Sequence, residues 1–257
     1  MGQGLFSLKQ DIVEVGKRMY TRGYVASNDG NISARLDDNK VLVTPTGISK
    51  GFMKPEDLVV INIEGKVLSG AKKPSSEILM HLQVYKDRPD VNSVCHAHPP
   101  YATGFAVAGI PLDKCVLPEV VITLGSIPLI EYGTPGTKEL YRPVTEQIKD
   151  HDAFLLANHG ALTVGNDVFN AYYKMETLEH FAQIAFIANQ LGYTNTLSKE
   201  QVQKLKDQRE KFGIKTTAGC IASVDGSYPG ENIPQSNLIN DDLIKRISDE
   251  VLKQIRK

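Results

Sequence analysis

The side chains that could do chemistry sit where apolar runs end. Ser93-Val94-Cys95-His96-Ala97-His98 carries two histidines one residue apart and stops at Pro99-Pro100. On a strand, residues i and i+2 point to the same face, so both imidazoles aim at one place just where the strand ends. His159 follows a second unbroken apolar run, Ala153 to Ala157, and precedes Gly160, which lets the backbone turn sharply. Singly, each histidine reads as an ordinary polar residue. Together they form a set of neutral imidazoles suited to a borderline divalent ion with one coordination position left open.

An acid stands within reach in the pattern. Glu77 follows Pro74-Ser75-Ser76 and opens an apolar-periodic stretch, Ile78, Leu79, Leu82 and Tyr85. One reading has Ser75 or Ser76 as the N-cap and Glu77 in the first turn, complementing the helix dipole. The other makes Glu77 a base or a displaceable fourth ligand. Gly30-Asn31, Thr46-Gly47 and Ser75-Ser76 are small-residue loops offering N–H groups, hydroxyls and an amide. Such loops hold a phosphate without many cationic side chains.

Other candidates are weaker. Cys95 alternates away from His96 and should face the core. Glu176-Thr177-Leu178-Glu179-His180 has too few histidines for a helical zinc motif and reads as packing on a long helix. His81 and His151 belong to no constellation, and Tyr132 and Thr134 read as structural.

These groups must be positioned by regular elements. Leu5, Leu8, Ile12, Val15 and Met19 predict an amphipathic helix ending near Arg22-Gly23. Two hairpins follow, Ile32–Leu36 with Val41–Thr44, and Leu58–Ile63 with Lys66–Leu68. After the helix behind Glu77 comes the histidine strand, then a short helix over 101–108, a strand over 127–132 and a helix over 136–149. The buried strand Ala153–Ala157 has Ala161–Gly165 as its neighbour. A long helix spans 167–191 and another runs from an N-cap at Ser198 to about Phe212. Residues 213–235 should be irregular, and a last helix is expected over 240–256. The reading divides into a domain over 1–212 and a C-terminal extension over 213–257 packing on that domain or on a neighbour.

At 257 residues the chain is long enough for one large core, and 41% hydrophobic and 23% charged residues are ordinary for a globular protein. A net charge of −1 without a basic block argues against a nucleic-acid partner. The first residues become charged too soon for a signal peptide, Phe6 stands where a myristoylation signal wants Ser or Thr, and no stretch has membrane-span length. The three cysteines, Cys95, Cys115 and Cys220, lead us to expect a reducing, cytoplasmic setting and no disulfide framework.

Gly30-Asn31-Ile32-Ser33, Thr44-Pro45-Thr46-Gly47, Pro74-Ser75-Ser76-Glu77, His96-Ala97-His98-Pro99 and Asn158-His159-Gly160 stand in an order and spacing that resembles the class II aldolase/adducin family, and its fuculose-phosphate aldolase branch most. The likeness covers roughly residues 5–190. It implies a three-layer α/β/α fold with a largely antiparallel central sheet, assembled as a homotetramer with active sites between subunits. It further implies zinc, or another divalent metal, on His96, His98 and His159. Glu77 would be both ligand and acid/base, and Asn31, Thr46, Gly47, Ser75 and Ser76 would bind the substrate phosphate. The implied reaction is reversible cleavage of a ketose 1-phosphate into dihydroxyacetone phosphate and an aldehyde through a metal-stabilised enediolate. Relatives with 4-epimerase or phospho-sugar-acid decarboxylase activity are the alternative. Glu77 favours the aldolase side, because the epimerase branch resembles Ser-Ser-Asp here. A non-catalytic adducin-like module would be expected to lose metal ligands that this chain keeps. The chain departs from the family at Leu117-Pro118-Glu119-Val120-Val121, which supplies no tyrosine acid; Glu119 and Tyr228 are the candidate substitutes.

Overall fold

In the computed structural model, which describes residues 4–214 and 216–222, the architecture is a sheet covered by helices on both faces. The strands are β1 (Asn31–Asp37), β2 (Lys40–Val43), β3 (Val59–Asn62), β4 (Val67–Ser69), β5 (Ser93–Ala97), β6 (Leu129–Ile130), β7 (Ala153–Leu156) and β8 (Gly160–Gly165). Their order is β4-β3-β2-β1-β5-β8-β7-β6, antiparallel throughout except for the parallel β6–β7 pair. The helices are α1 (Leu5–Thr21), α2 (Ile78–Asp87), α3 (Pro100–Ala108), α4 (Pro118–Thr123), α5 (Lys138–Gln147), α6 (Val168–Gln190) and α7 (Lys199–Lys211).

Period-2 alternation divides the core in two. Ile32, Ala34, Leu42, Cys95, Ala97, Leu155 and Ala161 face α1, α3 and α6. Val41, Val43, Val94, Phe154, Leu156, Leu162 and Val164 face α2 and α5. Each fully buried side chain of this size is worth roughly 1.5–3 kcal/mol of transfer free energy, enough to hold the register against a one-residue slip. His96 falls on the α2 side, in phase with Val94. The three-layer expectation holds.

Several local expectations change. The strand expected over 127–132 shortens to Leu129–Ile130, an edge strand whose partner among the described residues is β7, while Ile127 makes an isolated bridge to Leu112. Residues 118–123 form a helix that the apolar, β-branched run did not announce. It is held from outside: Val120 and Val121 are buried, and Arg209 of α7, itself 5% exposed, donates to the Val121 carbonyl. The other arm of Arg209 donates to the carbonyl and hydroxyl of Thr216.

The cysteine expectation is overturned. Cys115 and Cys220 are joined by a disulfide across a sequence separation of 105. The segment through 222 forms a strap. Cys115 N donates to Ile221 O, Ile221 N to Asp113 O, and Ala218 N to Asp150 O. An odd, sparse count hid the pair, because the two residues meet only through the strap. The helix expected over 240–256 lies outside the described residues. Among the described residues no helix is long and apolar enough to cross a membrane.

Candidate metal centre

Register builds the centre. Asn31 on β1 stands opposite His96 on β5, and His96 stands opposite Leu162 on β8. His98 follows β5, its backbone N–H held by the Tyr24 carbonyl. Pro99 and Pro100 then start α3, whose first free N–H groups, at Tyr101 and Ala102, are taken by the buried carboxylate of Glu179 at 3.0 and 2.8 Å. Glu179 thus locks the exit of the histidine strand to α6, a role its place among helical packing residues did not reveal. His159 sits in the β7–β8 turn beside Asn158, which has φ +55°.

Close approach here requires glycine. A Cβ on Gly160 would lie 2.5 Å from the Ala97 carbonyl oxygen and 2.6 Å from Cδ2 of His98. Gly30, at φ +70°, has its α-carbon turned so that a Cβ would meet the His96 carbonyl oxygen at 2.9 Å.

One nitrogen from each of His96, His98 and His159 lies within 4.8 Å of the others. Glu77 enters the same space: Oε1 is 3.0 Å from His159 Nε2 and Oε2 is 3.3 Å from His96 Nε2. Asn31 Nδ2 donates to Glu77 Oε2 at 2.7 Å. The helix-dipole reading of Glu77 is therefore corrected. Glu77 is the N-cap residue of α2 rather than part of its first turn, and its carboxylate caps nothing. Ser75 Oγ instead accepts from the Glu77 N–H at 3.3 Å.

The protonation pattern suits a cation. Burial pushes the His96 imidazole down to about 3, and burial followed by the neighbouring His159 lowers His98. Both are neutral near pH 7. Burial alone would raise the Glu77 carboxyl, but His96, His159 and the Asn31 amide outweigh it and hold it well below the usual range. His96 Nδ1 is 2.9 Å from the Ala161 carbonyl, so Nδ1 carries the proton and Nε2 presents a lone pair. His98 Nδ1 faces Asp29 at 3.5 Å in the same manner. The two Nε2 atoms then confront each other at 3.2 Å, lone pair to lone pair, beside an ionised carboxylate. A shared divalent ion reconciles that arrangement, and carboxylate or carbonyl partners on the outer nitrogens are the usual support for such ligands. The residues present fit a metal.

The phosphate-loop candidates divide. An isolated bridge between Pro45 and Pro74 joins the second and third loops, with Thr46 N donating to Lys73 O and Ser75 N to Thr44 O. Asn31 and Ser75 are buried, Asn31 Oδ1 has no hydrogen-bond partner among the described residues, and Thr46, Gly47 and Ser76 are exposed. Asn31 thus contacts Glu77 directly, Ser75 and Ser76 precede it in the chain, and the Thr46-Gly47 loop is tied to that third loop by the backbone bonds above. Cys95 is buried on the opposite sheet face against Met19, burial raising its thiol to about 12. Glu119 is exposed on α4, and Tyr228 lies outside the described residues.

The model of the class II aldolase and adducin N-terminal domain matches residues 10–186. The chain belongs to that family. An L-fuculose phosphate aldolase of Methanococcus maripaludis is 38% identical over 181 residues, 70% of this chain and 97% of the relative. A 3-oxo-tetronate 4-phosphate decarboxylase of Haemophilus influenzae is 35% identical over 207 residues, 79% of this chain and 94% of that one. A solved L-fuculose 1-phosphate aldolase matches with a TM-score of 0.74 at 32% identity, covering 83% of this chain and 98% of the other. Family membership indicates a lyase-type enzyme, and the three histidines could hold a metal ion.

Proposed function

We propose that this family member cleaves a ketose 1-phosphate of the L-fuculose 1-phosphate kind, reversibly, to dihydroxyacetone phosphate and an aldehyde, with zinc held by His96, His98, His159 and Glu77. The observation that carries the reading is Glu77: an ionised carboxylate against two imidazoles, one residue from the small-residue loop that borders it. When bound, the ion supplies Lewis-acid stabilisation of negative charge developing on the substrate oxygens. Asn31, Thr46, Gly47, Ser75 and Ser76 seat the phosphate, and the Asn31 amide also orients Glu77. Glu77 moves a proton between substrate oxygen or carbon and solvent, which its placement at the start of α2, clear of any capping duty, leaves it able to do.

The decarboxylase relative supports a second reading, release of carbon dioxide from a phosphorylated sugar acid at the same residues. Incubation with a panel of ketose 1-phosphates and 3-oxo sugar-acid phosphates separates the two. Dihydroxyacetone phosphate plus aldehyde supports cleavage, whereas carbon dioxide release rejects it. Glu77→Gln tests the role: fold retained and turnover down roughly 100-fold or more, as for loss of a general acid/base. Full activity of that variant removes Glu77 from the mechanism.

We further read the assembly as a homotetramer with sites between subunits. Exposed apolar side chains on α3 and α6 support this, among them Val107, Phe186 and Ile187. Sedimentation of the purified chain tests it. We keep 1–212 as the catalytic domain and 213–257 as an extension; the strap through 222 supports its packing on its own domain.

A further inference from the structure

Lys50 is a buried cation that the chemistry above does not use. Its side chain is 1% exposed, in a tight turn over Lys50–Phe52 that follows the Thr46-Gly47 loop. Its Nζ donates to the Asn28 carbonyl at 3.0 Å and to the Ile48 carbonyl at 2.8 Å. A buried ammonium is costly unless its N–H groups are satisfied, so it is a demanding way to fill space. A neutral residue of the same length would fill the volume without that cost. What an ammonium alone supplies is a simultaneous grip on two backbone segments.

Those segments adjoin two of the proposed phosphate loops. Asn28 precedes Asp29, whose carboxylate faces His98 Nδ1 at 3.5 Å, and then Gly30 and Asn31. Ile48 follows Thr46 and Gly47, the latter at φ +74°. The first segment contains further unusual backbone, with Ser27 at φ +49° and Gly30 at φ +70°. Asn31 is paired opposite His96 and Thr46 N donates to Lys73 O, but residues 28–30 and 47–48 lie outside the strand pairing among the described residues. From the other side, the turn is seated on α1: a Cβ on Gly16 would lie 2.7 Å from the Lys50 carbonyl oxygen.

We infer that Lys50 is a positioning residue whose buried ammonium clamps the Asn28–Asn31 and Thr46–Ile48 loops together, so that both present their donors to one substrate phosphate. The inference rests on the proposed reading of these loops as the phosphate site. It makes Lys50 act through Asn28 and Ile48 and not by touching substrate.

The test uses the full chain loaded with zinc, with inorganic phosphate as the probe. Lys50→Met keeps the length and removes the donors. The expected result is an unchanged metal content, a KM for the cleaved ketose phosphate and a dissociation constant for inorganic phosphate each raised roughly tenfold or more, and kcat within about threefold of wild type. Lys50→Arg, which keeps charge and donors, should recover most of the phosphate affinity. A folded Lys50→Met that binds phosphate and substrate as wild type overturns the inference. If Lys50→Met does not fold, hydrogen–deuterium exchange on the wild-type chain reads the same coupling. Phosphate should then protect the amides of 28–31 and 46–48 together, and protection confined to one loop overturns it. A wild-type chain that takes up no inorganic phosphate instead overturns the phosphate-site reading, and this inference with it, which sets the two failures apart.

Discussion

Reducing the Cys115–Cys220 bond should cost this chain a measurable part of its stability. The bond closes a loop of 105 residues, and the chain-entropy relation for such a loop gives about 4.8 kcal/mol at 25 °C. Dividing by an unfolding entropy of about 2.1 cal/mol/K per residue over 257 residues converts this to a fall in Tm of about 9 °C. This is an upper figure. The reduced strap keeps its other ties, the Arg209 bonds to Val121 and Thr216 and the Ala218–Asp150 bond. The assay is thermal unfolding of the native chain, the chain in dithiothreitol, and Cys115→Ala/Cys220→Ala. The last two should melt together, several degrees below the first. Thiol titration in denaturant without reductant supplies the control. The chain has three cysteines, so one thiol, that of Cys95, should react. Three reactive thiols, or melting points within about 2 °C of each other, refute the reasoning.

Gly160→Ala places a methyl group 2.6 Å from the His98 ring, so His98 must shift; metal content measured on the purified variant should fall well below that of wild type, and equal content would mean that the turn relaxes without moving the ligand. Stability should also decline in mild acid because of His81. That imidazole is fully buried against Ser33, with its Nδ1 2.7 Å from the hydroxyl, and burial lowers it to about 4. Its folded-state value lies below the unfolded 6.5, so the unfolded chain binds more protons between these values. Stability is therefore complete above about pH 6.5 and drains as pH falls toward 4, by about 2 kcal/mol at pH 5. Denaturant titrations should show wild type losing about 2 kcal/mol more stability than His81→Asn between pH 7 and pH 5, and equal losses would count against it.

The candidate site was legible in the sequence to the extent that it depends on local pattern. His96 and His98 share a face because they are two residues apart at the end of a strand, and Cys95 turns to the other face for the same reason. The glycines after His159 and before Asn31 announced the turns. What local pattern could not supply is any relation between segments distant in the chain. Glu77 read equally well as a first-turn carboxylate, and only the pairing of β1 with β5, placing Asn31 opposite His96, with the Asn31 amide on the carboxylate, decided otherwise. Residues 118–123 had the β-branched composition of a strand and became helical because α7 buries them and Arg209 satisfies a carbonyl.

By itself, then, the sequence determined the donor types, the two faces of the sheet and the identity of the loops, since side-chain period and turn chemistry act over a few residues. The family resemblance had grouped His96, His98, His159 and Glu77, and the tertiary structure brings those donors together; it alone decided that Cys115 finds Cys220 and that Lys50 is buried between two loops. Those outcomes depend on strand order and register, which bring together residues tens of positions apart that no local period relates.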